Sequence, residues 1–129
     1  MWSEMNATTT GEGISISLSF AGIFGLQGCV ETLACEVTMA DVLRTLGVDR
    51  DGLNSWSKTL VYQLRNCDRP FLVTIPAAYL QIIGKLYKTC FELVSESAMH
   101  TVTGSERWEL DAAEQELLEA LRAAGVAES

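Results

Sequence analysis

Apolar and polar residues alternate strictly from position 14 to position 20: Ile14, Ile16, Leu18 and Phe20 against Ser15, Ser17 and Ser19. A period of two is that of a strand with one buried face and one face open to solvent or a partner. Residues 71–75 are rich in β-branched and aromatic types, as a buried strand is. Pro76 holds Ile75 extended and fits the first turn of a helix. The period then changes. Between 79 and 94 the non-apolar residues are Gln81, Gly84, Lys85, Lys88, Thr89 and Glu92, which mark a narrow polar face at helical spacing. The other ten of these sixteen residues are apolar, so the pattern predicts a long, mostly buried helix. In the alternative reading the helix ends near Gly84 and residues 86–95 form a strand. Either way, the stretch 69–96 is expected to organise the rest of the chain.

The remaining elements follow from punctuation. Three glycines between 21 and 28 read as a turn or an irregular strand end, and 29–37 as a second strand, giving an N-terminal β-hairpin with 14–20. Thr38 is a cap for a helix over 39–46 with Asp41 in its first turn and Gly47 as its stop. Asp51 is a cap for a second short helix through Leu53, Trp56, Leu60, Val61 and Leu64, and 66–70 is a break. After the polar residues 95–97, segments 99–103 and 107–110 flank Gly104 and Ser105 as a small hairpin. Asp111 with Glu114 three residues on resembles a capping box, opening an amphipathic helix over 112–124 anchored by Leu117, Leu118 and Leu121 and stopped by Gly125. The fold class expected is therefore α+β: a flexible arm over 1–13 and one domain over 14–129.

Composition narrows the function classes. Hydrophobic residues make up 48% and charged residues 20% of 129 positions, enough to bury a core in one domain. No apolar run approaches a membrane span, and the N-terminus lacks the basic and apolar blocks of a secretion signal, so a cytoplasmic location is expected. Cys29, Cys35, Cys67 and Cys90 include no CxxC pair, and the single His100 has no cysteine near it in sequence. No metal or cofactor is expected, and buried reduced thiols are the plain reading; a Cys29–Cys35 redox pair is the alternative. The net charge of −8 opposes broad phosphate binding. It is unevenly spread: −5 over 1–52, +4 over 53–91 and −7 over 92–129. A basic middle between acidic ends is either an anion-binding surface or balanced within the molecule.

Catalytic patterns are thin. One histidine restricts acid–base schemes, and Glu106 and Glu109 near His100 read as a surface pair on the small hairpin, so no enzyme is expected. Residues 39–60 resemble a helix-turn-helix, with Gly47 in the turn and Leu53 and Trp56 placed to pack the second helix on the first. The resemblance implies a DNA-facing helix presenting Arg50, Asn54, Ser57 and Lys58, although Leu43 stands where a small residue is usual and Asp49 and Asp51 would face phosphates. Residues 71–84 are similar to the strand–proline–helix segment of AbrB-like swapped-hairpin DNA-binding domains. That likeness implies a strand over 89–94 and DNA contacts from Arg65 and Arg69. Two functional readings lead. One is an acidic, non-enzymatic protein that docks on a basic protein surface through Glu114, Glu116 and Glu119, as an inhibitor or adaptor. The other is a DNA-binding regulator using Arg50, Asn54, Lys58, Arg65 and Arg69. A ligand-binding domain or small enzyme with a concealed pocket is a third. Strand 14–20 at a sheet edge would also allow pairing with a second copy as a homodimer.

Overall fold

The computed structural model describes residues 8–10, 13–66 and 71–125. It is an α+β domain, with a small antiparallel sheet of order β1-β2-β3 against a set of helices. Strand β1 is Thr8–Thr10, β2 is Gly13–Leu18 and β3 is Phe71–Pro76. The alternation in β2 has the expected result: Ile14, Ile16 and Leu18 are buried, and Ile14 and Ile16 register against Ile75 and Val73 of β3. On the opposite face the Ser15 and Thr74 hydroxyls lie 3.0 Å apart.

Four expectations are corrected near the N-terminus. The strand ends at Leu18. Residues 21–28 form no turn and 29–37 no second strand; helix α1 runs Phe20–Cys35 instead. Ser19 starts it, its Oγ accepting the Gly22 N–H at 3.1 Å. Ile23, Leu26, Val30 and Leu33 recur every three or four residues and are fully buried. The N-terminal hairpin exists but joins β1 to β2, so part of the expected arm is a strand, with residues 1–7 and 11–12 outside the described residues. Finally, β2 is the central strand of the sheet rather than an edge strand, paired with β1 along Gly13–Ser15 and with β3 along Gly13–Leu18.

Helices α2 (Met39–Leu46) and α3 (Arg50–Asn66) stand close to where they are expected. The Thr38 hydroxyl accepts the Asp41 N–H at 3.1 Å, and Gly47 closes α2 in the left-handed conformation. Asp49, rather than Asp51, caps α3, accepting the Asp51 N–H at 3.2 Å. Residues 67–70 of the expected break lie outside the described residues.

The long helix over 79–94 is broken. Two 3-10 turns, Ala77–Tyr79 and Ile83–Lys85, precede a helix α4 of only eight residues, Leu86–Leu93. Tyr79, Ile82, Ile83 and Leu86 are still buried, because a 3-10 turn repeats nearly as a helix does and keeps the same stripe inward. The alternative strand over 86–95 is not present either, nor is the strand the AbrB-like resemblance implies. The small hairpin over 99–110 is two helices, α5 (Glu96–Thr103) and α6 (Arg107–Ala123), joined through Gly104 in the left-handed conformation. Ser95 caps α5, and the capping box of α6 is Glu106 with Glu109, five residues before the expected one.

The organising element is therefore α1 rather than 69–96. It packs on α3, α4, α5 and α6 and touches β2 and β3. Between α1 and α4 the Cys29 and Cys90 sulfur atoms lie 3.0 Å apart and fully buried, while Cys35 is exposed at the end of α1, so the neighbour of Cys29 is Cys90 and not Cys35. Tyr87 is buried beside them with no hydrogen-bond partner for its hydroxyl among the described residues.

Candidate functional site

Large apolar side chains that stay in water next to one another are the informative departure from a buried core. Phe20, Phe24 and Trp108 are of this kind, at 42%, 36% and 70% exposure. The helix over 20–35 places Phe20 and Phe24 one turn apart on its outer face, where their rings stack with centroids 5.6 Å apart. The early start of α6 turns Trp108 outward in its first turn. Together these side chains border a groove of about 440 Å³ between α1 and the start of α6. Small residues make room for it: Ala21, Gly25, Gly104, Ser105 and Ala112, with Glu109 on the rim.

The groove lies in an acidic field. Helix α6 carries five carboxylates and two guanidiniums, and α1 adds Glu31. Arg107 is committed within the fold: its Nε donates to Asp111 at 3.2 Å and its guanidinium lies 3.6 Å above the Phe91 ring.

The three acids expected to meet a partner have different surroundings. Glu119 is exposed. Glu116 clamps the start of α1, its carboxylate accepting the Ser19 N–H and the Ser19 hydroxyl, each at 2.7 Å. A negative charge at that helix N-terminus is favourable. Glu114 is half-buried, and loss of solvent, followed by the nearby Asp111 charge, raises its pKa above the ordinary glutamate value. None of the three lines the groove wall, where Glu109 stands instead. The aromatic half of this site was absent from the sequence reading. Its signal is the four-residue spacing of Phe20 and Phe24 behind the helix-capping Ser19.

Of the residues expected to face DNA, Arg50, Asn54, Ser57, Lys58 and Arg65 stand on α3. Arg50 donates to the Val37 carbonyl oxygen at 2.9 Å and so ties α3 to the end of the α1–α2 link. Asn54 is half-buried, and Lys58 and Arg65 are exposed. Ser57 points inward and meets the Gln27 amide at 3.2 Å. Arg69 lies outside the described residues.

A second, smaller cavity of about 280 Å³ lies between α4, α5 and the start of α6. His100 and Glu106 do meet there, Nε2 to Oε2 at 3.2 Å, but across a helix–helix joint and not a hairpin. Glu106 is also held by the capping box, its side chain accepting the Glu109 N–H while Glu109 accepts the Glu106 N–H at 2.7 Å. Among the described residues no three His, Cys, Asp or Glu side chains cluster as metal ligands, and no helix is long and apolar enough to cross a membrane. No family model, curated protein or solved structure matches the chain.

Proposed function

We propose that the protein is a non-enzymatic binding module whose groove between α1 and α6 docks an amphipathic helix of a basic partner protein. The exposed triplet of Phe20, Phe24 and Trp108 around one groove carries this reading. Helices dock in apolar grooves through side chains at i, i+3, i+4 and i+7, and tryptophan is over-represented among the residues that dominate such interfaces. The acidic surface of α6 selects the partner's charge, steering encounter with lysine- and arginine-rich helices and repelling acidic ones. Adaptor or inhibitor activity follows if the docked helix is part of the partner's own working surface.

The test is a titration with two synthetic helices, each with leucines at i, i+3, i+4 and i+7, one filled with lysines and the other with glutamates. The lysine helix is expected to bind and the glutamate helix not. Trp108→Ala should weaken the lysine helix roughly tenfold, as the loss of one central aromatic anchor does. Added salt should weaken it further. Equal binding of the two helices, or an unchanged affinity in Trp108→Ala, overturns the proposal.

A further inference from the structure

The geometry points to Cys29 and Cys90 as the two halves of a disulfide that cross-links α1 to α4 when the chain folds under oxidising conditions. The sulfur atoms stand 3.0 Å apart, about 1 Å longer than a disulfide bond, and either thiol can donate to the other. Both residues are fully buried, each on a helix of the core, and the Cys90 thiol also lies 3.3 Å from the Cys29 carbonyl oxygen, to which it can donate. The exposed Cys35 lies on α1 itself, six residues along from Cys29.

The oxidant is a small-molecule disulfide such as oxidised glutathione. The thiolate of one cysteine attacks a sulfur of the oxidant, forming a mixed disulfide and releasing one glutathione thiol. The second cysteine, deprotonated, attacks the protein sulfur of that mixed disulfide and releases the other. Two protein thiols and one oxidised glutathione become one protein disulfide and two reduced glutathione molecules, with no atom left over.

Burial decides when this happens. Loss of solvent, with the neighbouring Cys90, pushes the Cys29 thiol well above the ordinary cysteine range, so the reactive thiolate is scarce once the core has closed. The bond therefore forms during folding or from opened states. Once formed it resists reductants that cannot enter the core. This is a structural cross-link, unlike a sensor, whose thiol is acidic and accessible. It closes a loop between residues 61 apart in sequence, and long loops gain the most from closure.

The experiment refolds the full chain from denaturant in a glutathione redox buffer and, in parallel, in excess reductant. Free thiols are alkylated, and the protein is mapped by peptide mass spectrometry. Before alkylation the expected product of the oxidising arm is lighter by two hydrogens; after it, the map yields the Cys29 and Cys90 peptides joined, and the product melts about 10 °C above the reduced protein. Its native form is expected to keep the bond in reductant and lose it once denaturant is added. Recovery of Cys29 and Cys90 as alkylated thiols from the oxidising arm overturns the inference, as does either one joined to Cys35 or Cys67. The double variant Cys29→Ala with Cys90→Ala should show no oxidant-dependent rise in melting temperature; a rise that persists assigns the effect elsewhere and also overturns it. The wild-type peptide map decides the question even if that variant folds poorly.

Discussion

Gly25→Ala is the sharpest test of how α1 sits in the molecule. Gly25 is buried in the middle of α1, and a Cβ placed there would run into the Cβ of Ala113 on α6 while standing 3.1 Å from the Tyr87 hydroxyl. Two effects oppose each other. Alanine is about 1 kcal/mol better than glycine inside a helix. Against that, forcing a methyl group into a filled core costs about 1–3 kcal/mol. The atom it meets belongs to a side chain with no rotamer to change, so the steric cost falls in the upper part of that range. A net loss of about 1–2 kcal/mol is expected, read from urea unfolding followed by circular dichroism. Pairing it with Ala113→Gly should remove the clash. The double variant should then be more stable than the sum of the two single changes by about 1 kcal/mol or more. Gly22→Ala serves as a comparison, because there the new methyl meets the Glu116 carboxylate at 2.5 Å, and the far end of that side chain can shift at the expense of its two hydrogen bonds from Ser19. Pairing Gly22→Ala with Ala113→Gly should bring no relief. If Gly25→Ala is neutral or stabilising, as helix propensity alone requires, or if Ala113→Gly gives no relief, then α1 and α6 are not packed as described.

Three further outcomes follow. Thr38→Ala removes the acceptor for the Asp41 N–H and should cost about 1 kcal/mol, read from the same unfolding curves. Tyr87→Phe removes a buried hydroxyl that has no partner among the described residues, so stability should be unchanged or rise by up to about 1 kcal/mol; a loss above that would mean the hydroxyl is bonded. Glu114 has a folded pKa above its unfolded value, so the folded state holds its proton more tightly. Its contribution to stability is therefore most favourable at low pH and is lost as pH rises from the ordinary carboxylate range through the raised value. Glu114→Gln should melt higher than the wild type at neutral pH, with the gap closing as pH falls through that window; a gap of opposite sign would refute the assignment.

The elements that could be read from the chain are those whose local signals agree with their tertiary use. Strand β2 alternates and buries one face, and α2 has both its Thr38 cap and its Gly47 stop. Helix α1 was hidden because glycine is a local breaker, and a glycine in a helix is retained only where another element comes close. Gly22, Gly25 and Gly28 recur every three residues and so share one face, against which Glu116, Ala113 and Thr103 pack. Local propensity carries no trace of those distant neighbours. The reverse holds for residues 79–94, where periodicity is shared by α-helix and 3-10 turns. None of the elements from 77 to 93 has a side-chain cap, so the length of that helix was overstated. At 104–109 the glycine has the local signature of a hairpin turn, whereas it closes one helix ahead of the Glu106–Glu109 box that opens the next. A hairpin there puts Trp108 in a strand, away from the groove that it borders at the start of α6. The acidic half of the candidate site was visible as charge along the last helix, whereas the aromatic half depends on α1.

The measurement that bears most directly on the docking reading is a nitrogen–proton NMR titration of the full chain with the lysine-filled helix. The account predicts shifts concentrated on the Trp108 indole N–H and on the backbone of residues 20–25 and 104–112. Shifts centred on the Lys58 and Arg65 stripe of α3, or spread evenly over the acidic surface with the Trp108 indole unmoved, would contradict it.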